Sequence, residues 1–234
     1  MKKIAIIGAG ISGLYIANLL EKENDFKYKI FEKRSKLDLV EGYGIQLSVN
    51  CIKLLNKIGF KNISASDIFF PTKVNFFKSN NPNKICDIDL TQFNDDLNRY
   101  TTLKRSTLLK FLLENIPKDN IKFNTVLKHL DYSNTIKARF SDESEEHFDY
   151  IIIADGVFSQ SKSIISKETL KPKYNNSIAL RGKLNKYDDN NISIFMGSNF
   201  HYVIYPVNQN NEYNFVAILK KKLTESELNN EQFL

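Results

Sequence analysis

The stretch Lys3–Arg34 decides the fold; it reads KIAIIGAGISGLYIANLL, then a charged run, then KYKIFEKR. It opens with a short apolar run of the kind that forms a buried parallel strand. Gly8, Gly10 and Gly13 follow at the spacing G-x-G-x-x-G, directly before the apolar segment Leu14–Leu20. In such a pattern the first glycine permits a tight turn, the second lets the backbone approach a pyrophosphate, and the third lets a helix pack closely on the sheet. We therefore predict a strand, a phosphate-binding turn and a helix whose N-terminus offers free N–H groups.

A second strand and an acidic residue complete this pattern. Lys27–Phe31 is predicted to be a strand, and Glu32 follows it, 19 residues after Gly13. In dinucleotide-binding folds a carboxylate at about this distance, roughly 20 residues, binds a ribose hydroxyl. A signal peptide is the alternative, because Lys2 and Lys3 precede 17 uncharged residues, but no A-x-A-like cleavage site follows. The order of strand, glycines, helix and acid favours the dinucleotide-binding fold.

The composition is that of a globular chain. It has 234 residues, of which 42% are hydrophobic and 26% charged, and a chain of this length buries roughly 70% of its unfolded surface. The net charge is +6, and the lysines are scattered, which indicates either a solvated surface or attraction for an anionic cofactor and substrate. No recognised nucleic-acid motif accompanies this charge, so we expect no nucleic-acid partner.

Cysteine and histidine usage indicates neither a disulfide framework nor a metal site. Cys51 and Cys86 are the only cysteines, there is no C-x-x-C, and the three histidines are far apart. We therefore expect no metal and a reducing, cytoplasmic location. Beyond Leu20 no apolar run approaches membrane length, so we expect no membrane span.

We predict an α/β protein in two parts. Residues 1–170 are predicted to form a Rossmann-like domain with a small inserted β-hairpin around residues 73–90. Residues 171–234 read as alternating strands without intervening helices, which is typical of an antiparallel sheet, and we interpret them as a partial substrate-binding lobe. The strands predicted there are Ser177–Leu184, Ile192–Met196, His201–Val207 and Tyr213–Leu219. Helices are predicted at Cys51–Ile58, from Arg105 to near Ile116, at Ser161–Ser166 and from Leu223 to Leu234.

Further motifs lie outside the opening stretch. Gly42–Leu47 reads GYGIQL, and Ile153–Ser159, which reads IADGVFS, places Asp155-Gly156 at the end of a buried strand. Arg105 opens the pattern R-x-x-L-L. Taken alone, these features also fit plain turn residues and a surface arginine.

Together these motifs resemble those of FAD-dependent aromatic hydroxylases of the para-hydroxybenzoate hydroxylase fold, and within them the salicylate hydroxylase and 3-hydroxybenzoate 6-hydroxylase branch. In that family the acid after the second strand binds the FAD ribose, and the next basic residue lies against the adenosine half. The family's G-x-G-I-x-L segment lies beside the flavin ring, its R-x-x-L-L arginine reaches the FAD phosphate and ribityl region, and its G-A-D-G-x-x-S segment helps to bind FAD and the nicotinamide donor. The cofactor-binding residues implied for this chain are Gly8, Gly10, Gly13, Glu32, Lys33, Arg34, Gln46, Leu47, Arg105, Asp155 and Gly156.

The segment HYVIYP, starting at His201, resembles the H-x-V-x-Y-P strand of the same branch, in which the histidine and the tyrosine face the aromatic substrate. By alternation His201, Val203 and Tyr205 share one face of the strand. Histidine titrates near neutral pH, so we predict that His201 takes the phenol proton and that Tyr205 is the second catalytic residue. The alternative is a hydrogen-bonded structural histidine.

The chain departs from the family pattern at three points. Ile153 replaces the first glycine of G-A-D-G, and Lys162 stands where an arginine is usual, keeping the charge but losing the planar fork. The family also carries a later G-D-A-A-H-P motif, and no Gly-Asp pair occurs in these 234 residues. We therefore expect a truncated member that lacks the C-terminal part of the fold.

The resemblance implies an FAD-dependent monooxygenase that hydroxylates a small, phenolic, anionic aromatic substrate with NADH or NADPH and O2. Alternatives are a non-catalytic or incomplete FAD-binding fragment and another FAD-dependent oxidoreductase on the same fold; a halogenase is disfavoured because its W-x-W-x-I-P signature needs tryptophan, which is absent. Arg181 either pairs with an anionic substrate or lies on the surface. A homodimer is left open, because the sequence does not set the oligomeric state.

Overall fold

The computed structural model describes residues 1–39, 43–132, 135–168, 170 and 172–228. Its helices are α1 (Ile11–Leu20), α2 (Val49–Asn56), α3 (Arg105–Glu114), α4 (Ser161–Ser166) and α5 (Glu225–Leu228). Its strands are β1 (Lys2–Ile7), β2 (Phe26–Phe31), β3 (Gly44–Leu47), β4 (Ile68–Phe69), β5 (Lys73–Lys78), β6 (Asn81–Asp89), β7 (Thr101–Lys104), β8 (Ile121–Lys122), β9 (Leu127–Asp131), β10 (Ile136–Phe140), β11 (Glu145–Phe148), β12 (Tyr150–Ile153), β13 (Ser177–Leu184), β14 (Ile192–Met196), β15 (Phe200–Pro206) and β16 (Tyr213–Lys220). The chain forms two compact units, residues 1–40 with 108–172 and residues 41–107 with 173–234.

The first unit is built on a parallel sheet in the strand order β12-β1-β2-β8. β1 pairs with β2 and with β12 in parallel, so the carboxyl ends of all three strands lie at one edge. The apolar run read from the sequence fills the interior, since Ala5, Ile6 and Ile30 are fully buried. Leu14 and Ala17 of α1 are also fully buried, so the predicted strand–turn–helix is confirmed.

A three-stranded antiparallel sheet, β11-β10-β9, belongs to the same unit. Phe31 of β2 stacks on Phe140 of β10 with ring centroids 4.0 Å apart, and Phe148 meets Phe31 edge-on. These three rings belong to one buried cluster. β11 was not predicted, because its acidic start reads as a turn; its pairing with β10 places Phe148 opposite Ile136 and in the core.

The second unit contains a six-stranded sheet in the order β13-β16-β15-β14-β5-β6 and a three-stranded sheet in the order β3-β7-β4. The sequence divides the chain at residue 170 and assigns the hairpin to the first part. In the structure β5 pairs in parallel with β14, with Val74 opposite Ile192. The hairpin β5–β6 therefore extends the antiparallel lobe, and residues 41–107 group with residues 173–234.

The predicted bounds of several helices and strands agree with the structure. β13 and β14 have the predicted bounds, and α4 does as well. β4 and β7 are short strands that the sequence pattern did not indicate. α5 lies inside the predicted C-terminal helix, whose residues 229–234 lie outside the described residues. The predicted class, an α/β fold with a parallel Rossmann-like sheet and antiparallel sheets, is confirmed.

Candidate functional site

The glycine turn lies at the carboxyl edge of the parallel sheet. Gly8 has φ of 104°, and a Cβ there would lie 2.6 Å from the Ala154 carbonyl oxygen. A Cβ on Gly13 would lie 2.0 Å from the Gly8 carbonyl oxygen, so α1 can approach the turn only with glycine at this position. Both glycines are required by packing within the chain.

Gly10 differs from its two neighbours. It precedes α1 as the N-cap in extended conformation, with φ of −79°, and a Cβ there would meet none of the described residues within 4 Å. The first-turn N–H groups of a helix have no intrahelical acceptor. Gly10 therefore faces open space beside free donors, which is the arrangement that accepts a pyrophosphate.

Glu32 lies beside this turn. Its side chain is buried, and its carboxylate accepts the Ala9 N–H at 2.8 Å and the Arg34 N–H at 3.0 Å, one on each oxygen. Each carboxylate oxygen retains a lone pair that can accept a second hydrogen bond, such as one from a ribose hydroxyl. Lys33 and Arg34 are exposed next to it, and Arg34 lines an open cavity of about 650 Å³ together with the segment that follows it.

Asp155 reaches the same edge from β12. A Cβ on Gly8 would lie 2.8 Å from the Asp155 Cα, so the Asp-Gly turn packs directly against the glycine turn. The Asp155 Oδ2 accepts the Ser161 N–H at 3.3 Å, whereas its Oδ1 is buried and has no hydrogen-bond partner. A buried acceptor without a partner fits a ligand hydroxyl. Gly156 follows with φ of 81° and is exposed.

The predicted cofactor-binding residues of the second unit lie on β3 and at the start of α3. Gln46 and Leu47 are half-buried in β3, where Leu47 pairs with Thr101 of β7. Arg105 begins α3 directly after β7, and its N–H donates to the Tyr43 carbonyl oxygen at 2.7 Å. Gly42, the first residue of the predicted G-x-G-I-x-L segment, lies outside the described residues.

His201 and Tyr205 lie on the same strand but in different surroundings. His201 is exposed and lines an open cavity of about 600 Å³ with Ile194, Val203 and Ile218. Tyr205 is only 3% exposed and belongs to a buried cluster further along β15. Four residues of extended chain separate the two Cα atoms by roughly 13 Å. Tyr205 is not among the residues that line the His201 cavity.

Tyr205 is held in a polar arrangement that the sequence did not reveal. The Tyr100 hydroxyl donates to Gln46 Oε1 at 2.9 Å, and the Gln46 side chain lies near the Tyr205 hydroxyl. Burial raises the pKa of the Tyr205 phenol, while the nearby Arg181 charge and the Gln46 amide lower it by less. Tyr205 is therefore protonated at neutral pH and able to donate.

Asn214, opposite Tyr205 on β16, is a further residue that the motifs did not single out. It is 1% exposed, and its Oδ1 accepts the Gly44 N–H at 2.6 Å. A Cβ on Gly44 would lie 2.5 Å from Asn214 Cβ and 2.8 Å from Tyr205 Cε2. Gly44 is thus a close-approach glycine that lets β3 pack on the six-stranded sheet. Alternation along a strand predicts which face of the sheet a residue occupies, but it did not predict that Gly44 meets Asn214 and Tyr205.

The described part of the chain contains neither a metal-binding cluster nor a helix that could span a membrane. Its histidine, cysteine and acidic side chains form no group of three that would hold a metal ion. Its helices are also too short or too polar to cross a membrane.

The chain is similar in sequence to one family model and to several monooxygenases. Residues 6–37 match a family model described as an NAD(P)-binding Rossmann-like domain. The chain is 29% identical over 181 residues to monooxygenase asqM of Emericella nidulans, covering 70% of this chain and 40% of that protein. It is 24% identical over 228 residues to 3-amino-4-hydroxybenzoate 2-monooxygenase of Streptomyces cremeus, covering 92% and 56%. The chain thus spans about half the length of the curated relatives it matches.

Solved structures agree on the fold. HpxO of Klebsiella pneumoniae in complex with FAD and uric acid superposes with a TM-score of 0.84 at 19% identity, over 97% of this chain and 58% of that one. A salicylate hydroxylase substrate complex superposes with a TM-score of 0.78 at 16% identity, over 95% and 57%. The chain therefore has the fold of FAD-dependent hydroxylases, and the resemblance stated from its motifs is confirmed.

Proposed function

We propose that this protein works as an FAD-dependent monooxygenase that hydroxylates a small, anionic phenolic ring, with NADH or NADPH as reductant and O2 as oxidant. The main support for the proposal is that three features occur together at one edge of the parallel sheet. They are the open space at Gly10, the Glu32 carboxylate and the unpartnered Asp155 Oδ1. This set supplies a pyrophosphate cradle and acceptors for ribose and ribityl hydroxyls. The monooxygenase relatives support the reaction class.

The first unit fits the cofactor. The turn and the first N–H groups of α1 would hold the pyrophosphate, Glu32 would accept a ribose hydroxyl, and Asp155 Oδ1 would accept a hydroxyl of the ribityl chain. Lys33 and Arg34 would lie against the adenosine half. When bound, FAD supplies the electron-transfer and oxygen chemistry, and the protein binds and orients it.

The second unit offers groups for an aromatic ring. His201 lines an open cavity that mixes apolar residues such as Ile194 with polar ones such as Asn199. Its imidazole would take the proton of a phenol, which makes the ring more nucleophilic. Arg181, exposed and stacked over the Tyr43 ring at 5.4 Å, offers a positive charge for a substrate carboxylate. Gln46, Leu47 and Arg105 are proposed to contact the cofactor by resemblance.

The remaining expectations belong to the same proposal. Two free, exposed cysteines suit a reducing compartment, which supports a cytoplasmic location. A nucleic-acid partner is not expected, and a homodimer stays a prediction that sedimentation would test.

The experiment is an absorbance titration of the purified chain with FAD, followed by anaerobic addition of NADH or NADPH with and without salicylate. We expect a protein-perturbed flavin band, and faster bleaching when salicylate is present. Retained flavin without reduction would favour a cofactor-binding chain that does not catalyse on its own. Reduction that salicylate and related phenols do not change would favour another FAD-dependent oxidoreductase, and failure to retain flavin would contradict the proposal.

A further inference from the structure

The cavity beside His201 carries a positive charge that the proposed function does not use. Its volume is about 600 Å³, and its lining combines apolar side chains, among them Ile194, Val203 and Ile218, with amide and hydroxyl groups. Small-molecule sites have volumes of roughly 300–1,000 Å³. Lys220 lines the same cavity, and none of the described residues that line it is acidic. The cavity therefore offers apolar surface for a ring beside an ammonium group.

Strand register brings the lysine and the histidine to the same place. His201 of β15 lies opposite Ile218 of β16. Lys220 is two residues further along β16, so its side chain points to the same face as Ile218 and His201. Diagonal neighbours of this kind have Cα atoms roughly 7–8 Å apart. The imidazole and the ammonium group can therefore contact one small ligand at the same time.

The charge of Lys220 is not neutralised within the described part of the chain. The next residue, Lys221, pairs with Glu227 at 3.8 Å. No acidic side chain of the described residues lies within salt-bridge distance of Lys220. The Lys220 side chain is exposed, so its ammonium group is available to an anionic ligand that enters the cavity.

Arg181 is the other cation on this face of the sheet that the sequence singled out. It lies opposite Val216 of β16, which in turn lies opposite Val203 of β15. Its guanidinium lies over the Tyr43 ring, 5.4 Å from the ring centroid. Arg181 is not among the residues that line the His201 cavity. A ligand seated beside His201 therefore meets Lys220 rather than Arg181.

We infer that Lys220 is a specificity-determining residue that pairs with the carboxylate of an aromatic ligand whose ring lies in the His201 cavity. The ion pair forms only with a charged ring, so the cavity selects a ring carboxylate over a neutral group of the same shape. A ring hydroxyl is then left for His201. The identification of this ligand with a hydroxylase substrate rests on the proposed function, whereas the pairing of a carboxylate with Lys220 does not.

The test compares 2-hydroxybenzoate with 2-hydroxybenzamide, which has the same ring and hydroxyl but no charge. Calorimetric titration of the full chain, with FAD and without it, gives both dissociation constants. We expect the wild type to bind the benzoate about fivefold more tightly, which is the size of an ion pair at an exposed site. Lys220→Met keeps the carbon stem and removes the charge, so the two compounds should then bind equally well. Lys220→Arg keeps the charge and should retain most of the preference.

The matched control is Lys222→Met. Lys222 is also exposed, lies on the same unit and is not among the residues that line the cavity, so this variant should keep the wild-type preference. Lys220→Gln is a second neutral variant that tests the same point if the methionine variant does not fold. An undiminished preference in the neutral Lys220 variants would overturn the inference. A loss of preference in Arg181→Met alone would move the carboxylate contact to Arg181 and would overturn it as well.

Nuclear magnetic resonance of the histidine rings locates the ligand. The chain has three histidines, His129, His147 and His201, and the signal missing from the spectrum of His201→Gln belongs to His201. We expect 2-hydroxybenzoate to shift the His201 signal and to leave the other two unchanged. Binding that does not shift the His201 signal would place the ligand elsewhere and overturn the inference.

The role of Lys220 and the proposed function fail separately. If the chain retains no flavin but binds 2-hydroxybenzoate with a preference that Lys220→Met abolishes, the proposed function fails and the role of Lys220 stands. If the chain retains flavin but does not prefer the benzoate, the role of Lys220 fails and the cofactor site stands. Binding of neither compound, with or without FAD, would overturn the inference.

Discussion

Replacement of Gly10 by alanine separates binding from folding in the glycine turn. A Cβ at Gly10 meets no described neighbour within 4 Å, and φ of −79° suits alanine. Loss of a glycine N-cap costs about 0.5–1 kcal/mol, and the smaller entropy of the unfolded chain returns about 0.4–1 kcal/mol. We therefore expect Gly10→Ala to leave the free energy of unfolding within about 1 kcal/mol of wild type.

FAD binding should respond differently. The new methyl group would occupy the space that we propose for the pyrophosphate, so we expect affinity for FAD to fall at least about tenfold, which is about 1.4 kcal/mol. The contrast is Gly13→Ala, whose Cβ would lie 2.0 Å from the Gly8 carbonyl oxygen. That variant has to move α1 away from the turn and should lose roughly 3 kcal/mol of stability.

The assay combines urea unfolding with FAD titration. Unfolding is measured without FAD, because a bound ligand raises apparent stability by mass action. If the Gly10→Ala variant is as stable as wild type and binds FAD equally well, the space beside Gly10 does not hold the pyrophosphate. Gly10→Ala that unfolds as easily as Gly13→Ala would refute the packing argument.

Three further predictions concern single side chains. Asp155→Asn places an amide where the unpartnered acceptor lies, and we expect FAD to bind more weakly at unchanged urea midpoint; equal binding would remove Asp155 from the cofactor site. Gly44→Ala forces a Cβ to within 2.5 Å of a neighbouring side chain and should cost roughly 3 kcal/mol, whereas Gly182→Ala, with its nearest contact at 3.9 Å, should stay close to wild type in the same denaturant assay. Burial pushes the pKa of Asp189 upward, but hydrogen bonds from serine and asparagine neighbours outweigh it and lower the pKa overall. The stabilisation is therefore complete above the ordinary pKa of about 4 and is lost as the pH falls through the folded value. The Asp189→Asn variant should have a lower free energy of unfolding than wild type at pH 7, and the two values should converge in acid. The exposed neighbour provides the control, since Asp188→Asn should follow the wild-type pH dependence. A difference between Asp189→Asn and wild type that does not change with pH would contradict the hydrogen-bond account.

The sequence alone determined the parts of the site that are local in the chain. The turn from Gly8 to Gly13 and the acid at Glu32 fall within one strand–helix–strand unit, and their spacing is set by element lengths that periodicity reveals. The strands after residue 170 could also be predicted from the sequence, and β13 and β14 have the predicted bounds. Short-range patterns report which residues alternate between faces and which allow a tight turn.

Only the tertiary structure decided which distant residues meet. Besides its hairpin neighbour β6, strand β5 pairs with β14, more than 100 residues away. Such pairing depends on register and burial that no local pattern encodes. The hydrogen bond from the Gly44 N–H to Asn214 spans 170 residues, and the hydrogen bond from Tyr100 to Gln46 spans 54 residues. Hydrogen bonds of this kind form between side chains whose types are common and whose proximity is created by packing, so the fold must be in place before they can be recognised.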